Sequence, residues 1–345
     1  MQMTEHSSST ETRHHPLVLM AALVIIIMGL KEAAAILTPF LLALFISVAV
    51  APLNSWLQSR RVPAGLAVFL VIALIFGALG LVGLLLGGTI AQFSESLPFY
   101  QSRLNNLSID FVNWLRAKGV AIPADSPLSE ITPGTVMMLV GNLFTQLATF
   151  LADGLFILLT IIFILLESAE FPEKMKSVLK DPAESIPRFE TFRASVQRYV
   201  ALKTVISIAT GILIWIWMMV LGIDYAPLWG FLAFLLNYIP NIGSILAAIP
   251  AVLLALIQLG PGSAAAGLAG YLVVNNVIGN VIEPRVMGKG MGLSTLVVFI
   301  SLIVWGWIFG TIGMLLSVPL TMTLKIGFEA SRNSSWVSKL LSDSP

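Results

Sequence analysis

Two clusters of polar side chains interrupt apolar stretches in the second half of this 345-residue chain. The first lies in LLNYIPNIGSILAAIP, residues 235–250. Proline lacks the backbone N–H that a helix needs, and glycine permits a tight turn, so this centre predicts a helix break. Its amides either satisfy the freed backbone or bind a hydrophilic solute, and we favour the second role, which is typical of broken membrane helices. The candidate residues are Asn237, Tyr238, Pro240, Asn241 and Gly243.

The second cluster lies in NNVIGNVIEPRVMGKG, residues 275–290. Asn276, Asn280 and Glu283 are spaced i, i+4 and i+7, which predicts that they share one face of a helix. An ionisable group inside a membrane helix usually lines a cavity or pathway, and the alternative here is an interfacial salt bridge. We expect the proline to end the helix and the arginine to pair with the glutamate. The candidate residues are Asn275, Asn276, Asn280, Glu283, Pro284 and Arg285.

Several kinds of chemistry are excluded by what the chain lacks. It has no cysteine, and its three histidines, His6, His14 and His15, all lie in the polar N-terminal tail. Histidine-based triads and HExxH zinc sites are therefore not expected, and no GxxxxGK[ST] phosphate loop occurs. We predict no catalytic residue, no metal site, no cofactor and no enzymatic activity. The net charge of +1 argues against a nucleic-acid partner.

The elements that carry these clusters must be membrane helices. Hydrophobic residues make up 57% of the chain and charged residues 11%, whereas a soluble domain carries about 25% charge. Lipid must therefore solvate much of the surface, and the bilayer is the first expected partner. Residues 17–51 predict two compact spans or one long helix with a polar pair at Lys31–Glu32, and we favour a tight hairpin. Lys203 is expected to anchor a span at the interface.

Two segments are too long for a single straight span. Residues 228–259 and 294–325 each contain about 32 residues, roughly 48 Å of helix against a hydrocarbon core of about 30 Å. Each is either a broken crossing or a re-entrant hairpin, and the positions of Arg285 and Lys289 favour re-entrance. IGSILAAIP and IGMLLSVP also resemble one another, which places the second break at Gly310, Gly313 and Pro319. Paired interrupted segments indicate a transport site.

The predicted fold is all-α: a polytopic α-helical membrane protein with interrupted, re-entrant helices in its C-terminal half and a helical extramembrane insertion. Arginine and lysine positions predict that both termini are cytoplasmic. The 92–149 segment, rich in proline and polar residues, is expected to form short helices. The expected segments are a polar N-terminal tail (1–16), N-terminal membrane spans (17–91), an amphipathic extracytoplasmic segment (92–149), a span (150–166), a charged cytoplasmic helical segment (167–199), a C-terminal transport region with broken helices (200–325) and a cytoplasmic tail (326–345).

The two motif regions resemble a known family. NYIPNIGSILAAIP and NVIEPRVMGKGMGLSTLVVFISLIVWGWIFGTIGMLLSVPLT look like signature blocks of the autoinducer-2 exporter family of bacterial inner-membrane transporters. The resemblance runs over essentially the whole chain. It implies a homo-oligomeric inner-membrane protein that exports autoinducer-2, a small polar furanone-type signal, and so affects quorum sensing and biofilm behaviour. Because some relatives are described as cation/proton antiporters, sodium(lithium)/proton exchange is the alternative.

Overall fold

Helices account for every regular element in the part of the chain that the computed structural model describes. That part comprises residues 16–119, 141, 154–168, 174, 177, 182–240, 242–287, 293–330 and 335–342. The elements are α1 (Pro16–Glu32), α2 (Ala34–Ser59), α3 (Ala64–Ala117), α4 (Gly154–Glu167), α5 (Pro182–Val220), α6 (Ala226–Leu236), α7 (Gly243–Leu259), α8 (Pro261–Asn275), the π-helix π1 (Asn276–Ile282), α9 (Glu283–Met287), α10 (Thr295–Leu315), α11 (Ser317–Ala330) and α12 (Ser335–Leu341).

The outer surface of these helices suits lipid. Within the described ranges, five helical stretches are long and apolar enough to cross a membrane: Ala34–Ser59, Ala64–Phe93, Phe189–Val220, Pro261–Val286 and Thr295–Glu329. Their outward faces carry large apolar side chains, such as Leu84, which is 83% exposed, and Val220, which is 70% exposed. Exposure of this much apolar surface to water would be unfavourable, whereas its exposure to the hydrocarbon core of a bilayer is not. The predicted all-α polytopic membrane fold is confirmed.

The N-terminal hairpin predicted for residues 17–51 is wrong. Ala33, between α1 and α2, keeps a right-handed helical conformation (φ −79°, ψ −1°). Its N–H donates to Gly29 O and its carbonyl accepts from Leu37 N, so the helical path continues through this residue without a reversal. The polar pair did not require a turn, because the Lys31 ammonium lies 4.0 Å from the centroid of the Trp307 ring.

Helix α3 is much longer than a membrane span. Its 54 residues extend for about 81 Å at 1.5 Å per residue, and it continues through Pro98 to Ala117. The short helices expected after residue 91 are therefore wrong as far as residue 117, whereas 120–140 and 142–153 lie outside the described residues. Contacts made by the helix offset the hydrogen bond that Pro98 removes: Phe93 is buried and stacks on Tyr100.

A polar cluster ties the extension of α3 to the loop before α6. The Tyr100 hydroxyl donates to Asp224 Oδ2 at 3.1 Å, and the Tyr225 hydroxyl donates to Ser96 Oγ at 3.2 Å. Burial, followed by the neighbouring Tyr225 and Asp224, raises the pKa of the Tyr100 phenol, so it remains a protonated donor at neutral pH. The backbone oxygen of Asp224 also accepts from the indole N–H of the fully buried Trp229. The extension of α3 is thus fixed to the core that holds α6.

Among the described residues, the largest apolar core joins α5, α6, α7 and α8 around Trp229. Helices α5 and α6 approach so closely that a Cβ atom at Gly211 would lie 2.8 Å from the Gly230 carbonyl oxygen. Small residues at a helix crossing permit this contact in membranes. The close approach fixes the end of α6 beside α5, where the first polar cluster lies.

Candidate functional site

The first break is a reversal of the chain between α6 and α7. A Cβ atom at Gly243 would overlap the carbonyl oxygen of Leu236, seven residues earlier. In a continuous helix these residues would be about 10 Å apart along the axis. The chain therefore folds back, with Pro240 in the turn and the Pro240 carbonyl accepting from Ile242 N at 2.6 Å. Since α6 has 11 residues, or about 16 Å, it covers roughly half a bilayer core.

Side chains from this break bind α5. Asn237 is buried, and its Nδ2 donates to Ser207 Oγ at 2.9 Å. The Tyr238 hydroxyl donates to Thr204 Oγ1 at 2.8 Å. The amide nitrogen of Asn237 thus donates its hydrogen bond to a side chain of another helix and not to a backbone carbonyl at the break. Asn241 lies outside the described residues.

The second break also reverses the chain. Gly310 has φ 65° and ψ −148°, a conformation outside the helical region and open mainly to glycine. A Cβ atom at Gly313 would overlap the Trp305 carbonyl oxygen, just as a Cβ atom at Gly243 would overlap the Leu236 carbonyl oxygen. The two arms are joined by a hydrogen bond of 3.0 Å from Trp305 Nε1 to Thr321 Oγ1. Pro319 lies in the first turn of α11, where a proline removes no intrahelical bond.

The second amide cluster lies on a π-helix. Asn280 Nδ2 donates to Asn276 Oδ1, and Asn276 Nδ2 donates to Leu272 O, both at 2.9 Å. Asn276 and Asn280 are exposed, whereas Asn275 is half-buried. Pro284 does not end the helix as expected: α9 continues to Met287, because the proline occupies its first turn.

Glu283 pairs with Lys203 and not with Arg285. Lys203 Nζ lies 2.6 Å from Glu283 Oε1, with the side chains 5% and 20% exposed. Arg285 is exposed. The expectation that Lys203 anchors α5 at the interface is also wrong, because its ammonium is directed into the protein. The pair is an interhelical contact between α5 and the start of α9.

Residues on one face of α5 therefore bind side chains from both polar clusters. Lys203, Thr204 and Ser207, at spacings of one and four residues, bind Glu283, Tyr238 and Asn237 respectively. This set offers neutral donors and acceptors and one compensated charge pair. Among the described residues, no group of three or more His, Cys, Asp or Glu side chains is placed to hold a metal ion. The α5 residues were not predicted as site residues, although a lysine followed by hydroxyl residues within an apolar span is a signal for them.

Comparisons with known proteins agree with this architecture. The AI-2E family transporter model matches residues 20–333. The chain is 42% identical over 326 residues to the AI-2 transport protein TqsA of Escherichia coli (strain K12), covering 94% of this chain and 95% of that protein. It is 38% identical to a Haemophilus influenzae protein (96% and 97% covered) and 36% identical to YhhT of E. coli K12 (96% and 95% covered). The names of the latter two assign transport provisionally and state no substrate. The chain belongs to the AI-2E family of membrane transporters.

Proposed function

We propose that this transporter exports autoinducer-2, a small polar furanone-type signal, across the bacterial inner membrane. The observation that carries the proposal is the neutral hydrogen-bonding set at the first break, where Asn237 and Tyr238 meet Ser207 and Thr204. Amides and hydroxyls suit a hydroxylated neutral solute, which would lose its own hydrogen bonds to water on entry. The 42% identical relative is named for AI-2 transport, which supports the same substrate class.

The geometry of the two breaks supports a pathway at membrane depth. Two helical hairpins whose arms are too short or too sharply bent for a plain crossing supply backbone and side-chain polar groups within the apolar body. In the proposed arrangement both hairpins are re-entrant, the C-terminus is cytoplasmic, and the protein is a homo-oligomer. The cytoplasmic N-terminus expected from the sequence depended on the N-terminal hairpin and is not proposed. The pathway residues are Asn237, Tyr238, Pro240, Asn241, Gly243, Asn275, Asn276, Asn280, Glu283, Pro284 and Arg285, with the second hairpin turning at Gly310, Gly313 and Pro319.

Deleting the gene is expected to raise intracellular autoinducer-2 and lower the extracellular amount, because the outward route is lost. The measurement is the ratio of the two pools in wild-type, deletion and complemented strains at equal cell density. An unchanged ratio in the deletion strain contradicts export. Reconstituted protein assayed with and without a proton gradient then separates coupled transport from passive diffusion.

A second candidate function is sodium(lithium)/proton exchange. It is favoured by Glu283, a half-buried carboxylate that meets a lysine inside the membrane region. If this function holds, everted vesicles will show sodium-dependent proton movement that Glu283→Gln reduces at least tenfold, because glutamine cannot release a proton. Asp110→Asn, in the extension of α3, is the matched control. Equal exchange in Glu283→Gln and wild type excludes Glu283 from such a mechanism.

A further inference from the structure

Lys203 is a buried cation within an apolar helix. It lies in the Phe189–Val220 stretch, is 4% exposed, and reaches Glu283, a residue 80 positions later. A lysine that only anchored a span would extend its ammonium to the interface. Removing a lysine from water is unfavourable unless it is paired, so the position of this side chain depends on the carboxylate. The pair therefore fastens the start of α9 to α5.

Glu283 stands where the π-helix becomes an α-helix. Its N–H donates to Ile278 O, five residues back, so the direction of its carboxylate depends on the π-helical hydrogen-bonding pattern. A π-turn contains one residue more than an α-turn, and such turns occur frequently at functional sites. Conversion of residues 276–282 to α-helix would rotate the following residues by about 100° around the axis. That rotation would carry Glu283 away from Lys203.

The same face of α5 holds the first hairpin. Thr204 adjoins Lys203 and accepts from Tyr238, while Ser207, one turn further, accepts from Asn237. The ion pair and the two neutral hydrogen bonds thus form one row along the helix. Because Thr204 follows Lys203 in the sequence, release of Glu283 from Lys203 would occur next to the first of the two hydrogen bonds that hold the hairpin.

We propose that Lys203 is a positioning residue of the transport pathway: its ion pair with Glu283 latches the π-helical segment to α5, and this latch opens once in every transport cycle. The latch goes beyond the proposed function, although its transport assay relies on autoinducer-2 as the solute. A purely structural ion pair, by contrast, stays closed throughout the cycle.

The absence of cysteine from the chain makes a direct test practicable. In the variant Lys203→Cys/Glu283→Cys, the introduced thiols are the only ones, and a short bifunctional methanethiosulfonate can bridge them. The expected result is that bridging lowers autoinducer-2 transport in proteoliposomes at least tenfold below the rate of the same variant before bridging, and that reduction of the bridge returns transport to that unbridged rate. Transport that is unchanged after bridging overturns the latch, and so does a failure of the two thiols to be bridged.

The matched control is a lysine–glutamate pair outside the membrane core. Glu167 and Lys174 form an exposed ion pair, with side chains 60% and 55% exposed. Bridging Glu167→Cys/Lys174→Cys with the same reagent is expected to leave transport unchanged. A tenfold loss in this control would show that the reagent, and not closure of the latch, stops transport.

A second measurement needs no solute. Hydrogen–deuterium exchange of amides 276–282 is expected to be at least tenfold faster in Lys203→Met than in wild type, and near the wild-type rate in Lys203→Glu/Glu283→Lys, which retains an ion pair. Unchanged exchange in Lys203→Met overturns the latch. If wild-type protein fails to move autoinducer-2, the proposed substrate is wrong, and the exchange result still tests the premise of the latch, that the ion pair fastens residues 276–282 to α5; unchanged exchange in Lys203→Met then overturns it.

Discussion

Gly243→Ala is expected to abolish transport and to destabilise the protein by about 3 kcal/mol or more, the upper end for over-packed sites. The added Cβ would overlap the Leu236 carbonyl oxygen and lie 2.7 Å from its carbonyl carbon. Backbone atoms cannot rotate away as a side chain would. The end of α6 is itself held by the close approach of Gly230 to α5. Chemical unfolding in detergent and transport in proteoliposomes measure the two effects.

Gly80→Ala is the matched control. This glycine lies inside α3, and a Cβ there would meet nothing within 4 Å. Alanine favours a helix over glycine by up to about 1 kcal/mol, so the control is expected to keep wild-type transport and equal or greater stability. Gly313→Ala, whose Cβ would overlap the Trp305 carbonyl oxygen, should behave like Gly243→Ala. Wild-type stability in both hairpin variants would contradict the tight reversals.

Local chemistry explains why the two reversals were predictable from sequence. Pro240 and Gly243, within an apolar segment too long to be one span, predicted the first break. The second segment is equally long, and the resemblance of IGMLLSVP to IGSILAAIP located its break near Gly310–Gly313. The all-α membrane fold was predictable from the high proportion of hydrophobic residues and the low proportion of charged residues. The length of α3 was not predictable, because Pro98 and a polar composition favour a break. The contacts of Phe93 with Tyr225 and of Tyr100 with Asp224, both outside α3, outweigh that local preference.

The site was only partly predictable for a related reason. Periodicity indicates which residues share a face, and Asn276 and Asn280 do hydrogen-bond as their spacing suggests. It does not indicate which two faces meet. Glu283 had a basic neighbour two residues away in Arg285, yet its partner is Lys203, 80 residues distant. Nor does any local signal mark residues 276–282 as π-helical.

Asn237→Leu is expected to lower the rate of autoinducer-2 transport at least tenfold. Leucine has nearly the size of asparagine, so packing at this buried position is retained while the amide is lost. Ser207 is fully buried and would lose its donor. An unsatisfied buried polar group costs about 1–3 kcal/mol, so a measurable fall in stability is expected as well. Initial rates at several solute concentrations, with the midpoint of thermal unfolding, give both quantities.

The double variant Ser207→Ala/Asn237→Leu separates the two roles that the sequence left open for Asn237. Removing both partners of a buried hydrogen bond is nearly neutral for stability, so the midpoint of unfolding is expected to return close to the wild-type value. If Asn237 only joins α6 to α5, transport must return together with stability. We expect transport to stay at least tenfold below wild type, because the amide that would bind the solute is still missing. Recovery of both properties would assign Asn237 to the scaffold and remove it from the pathway.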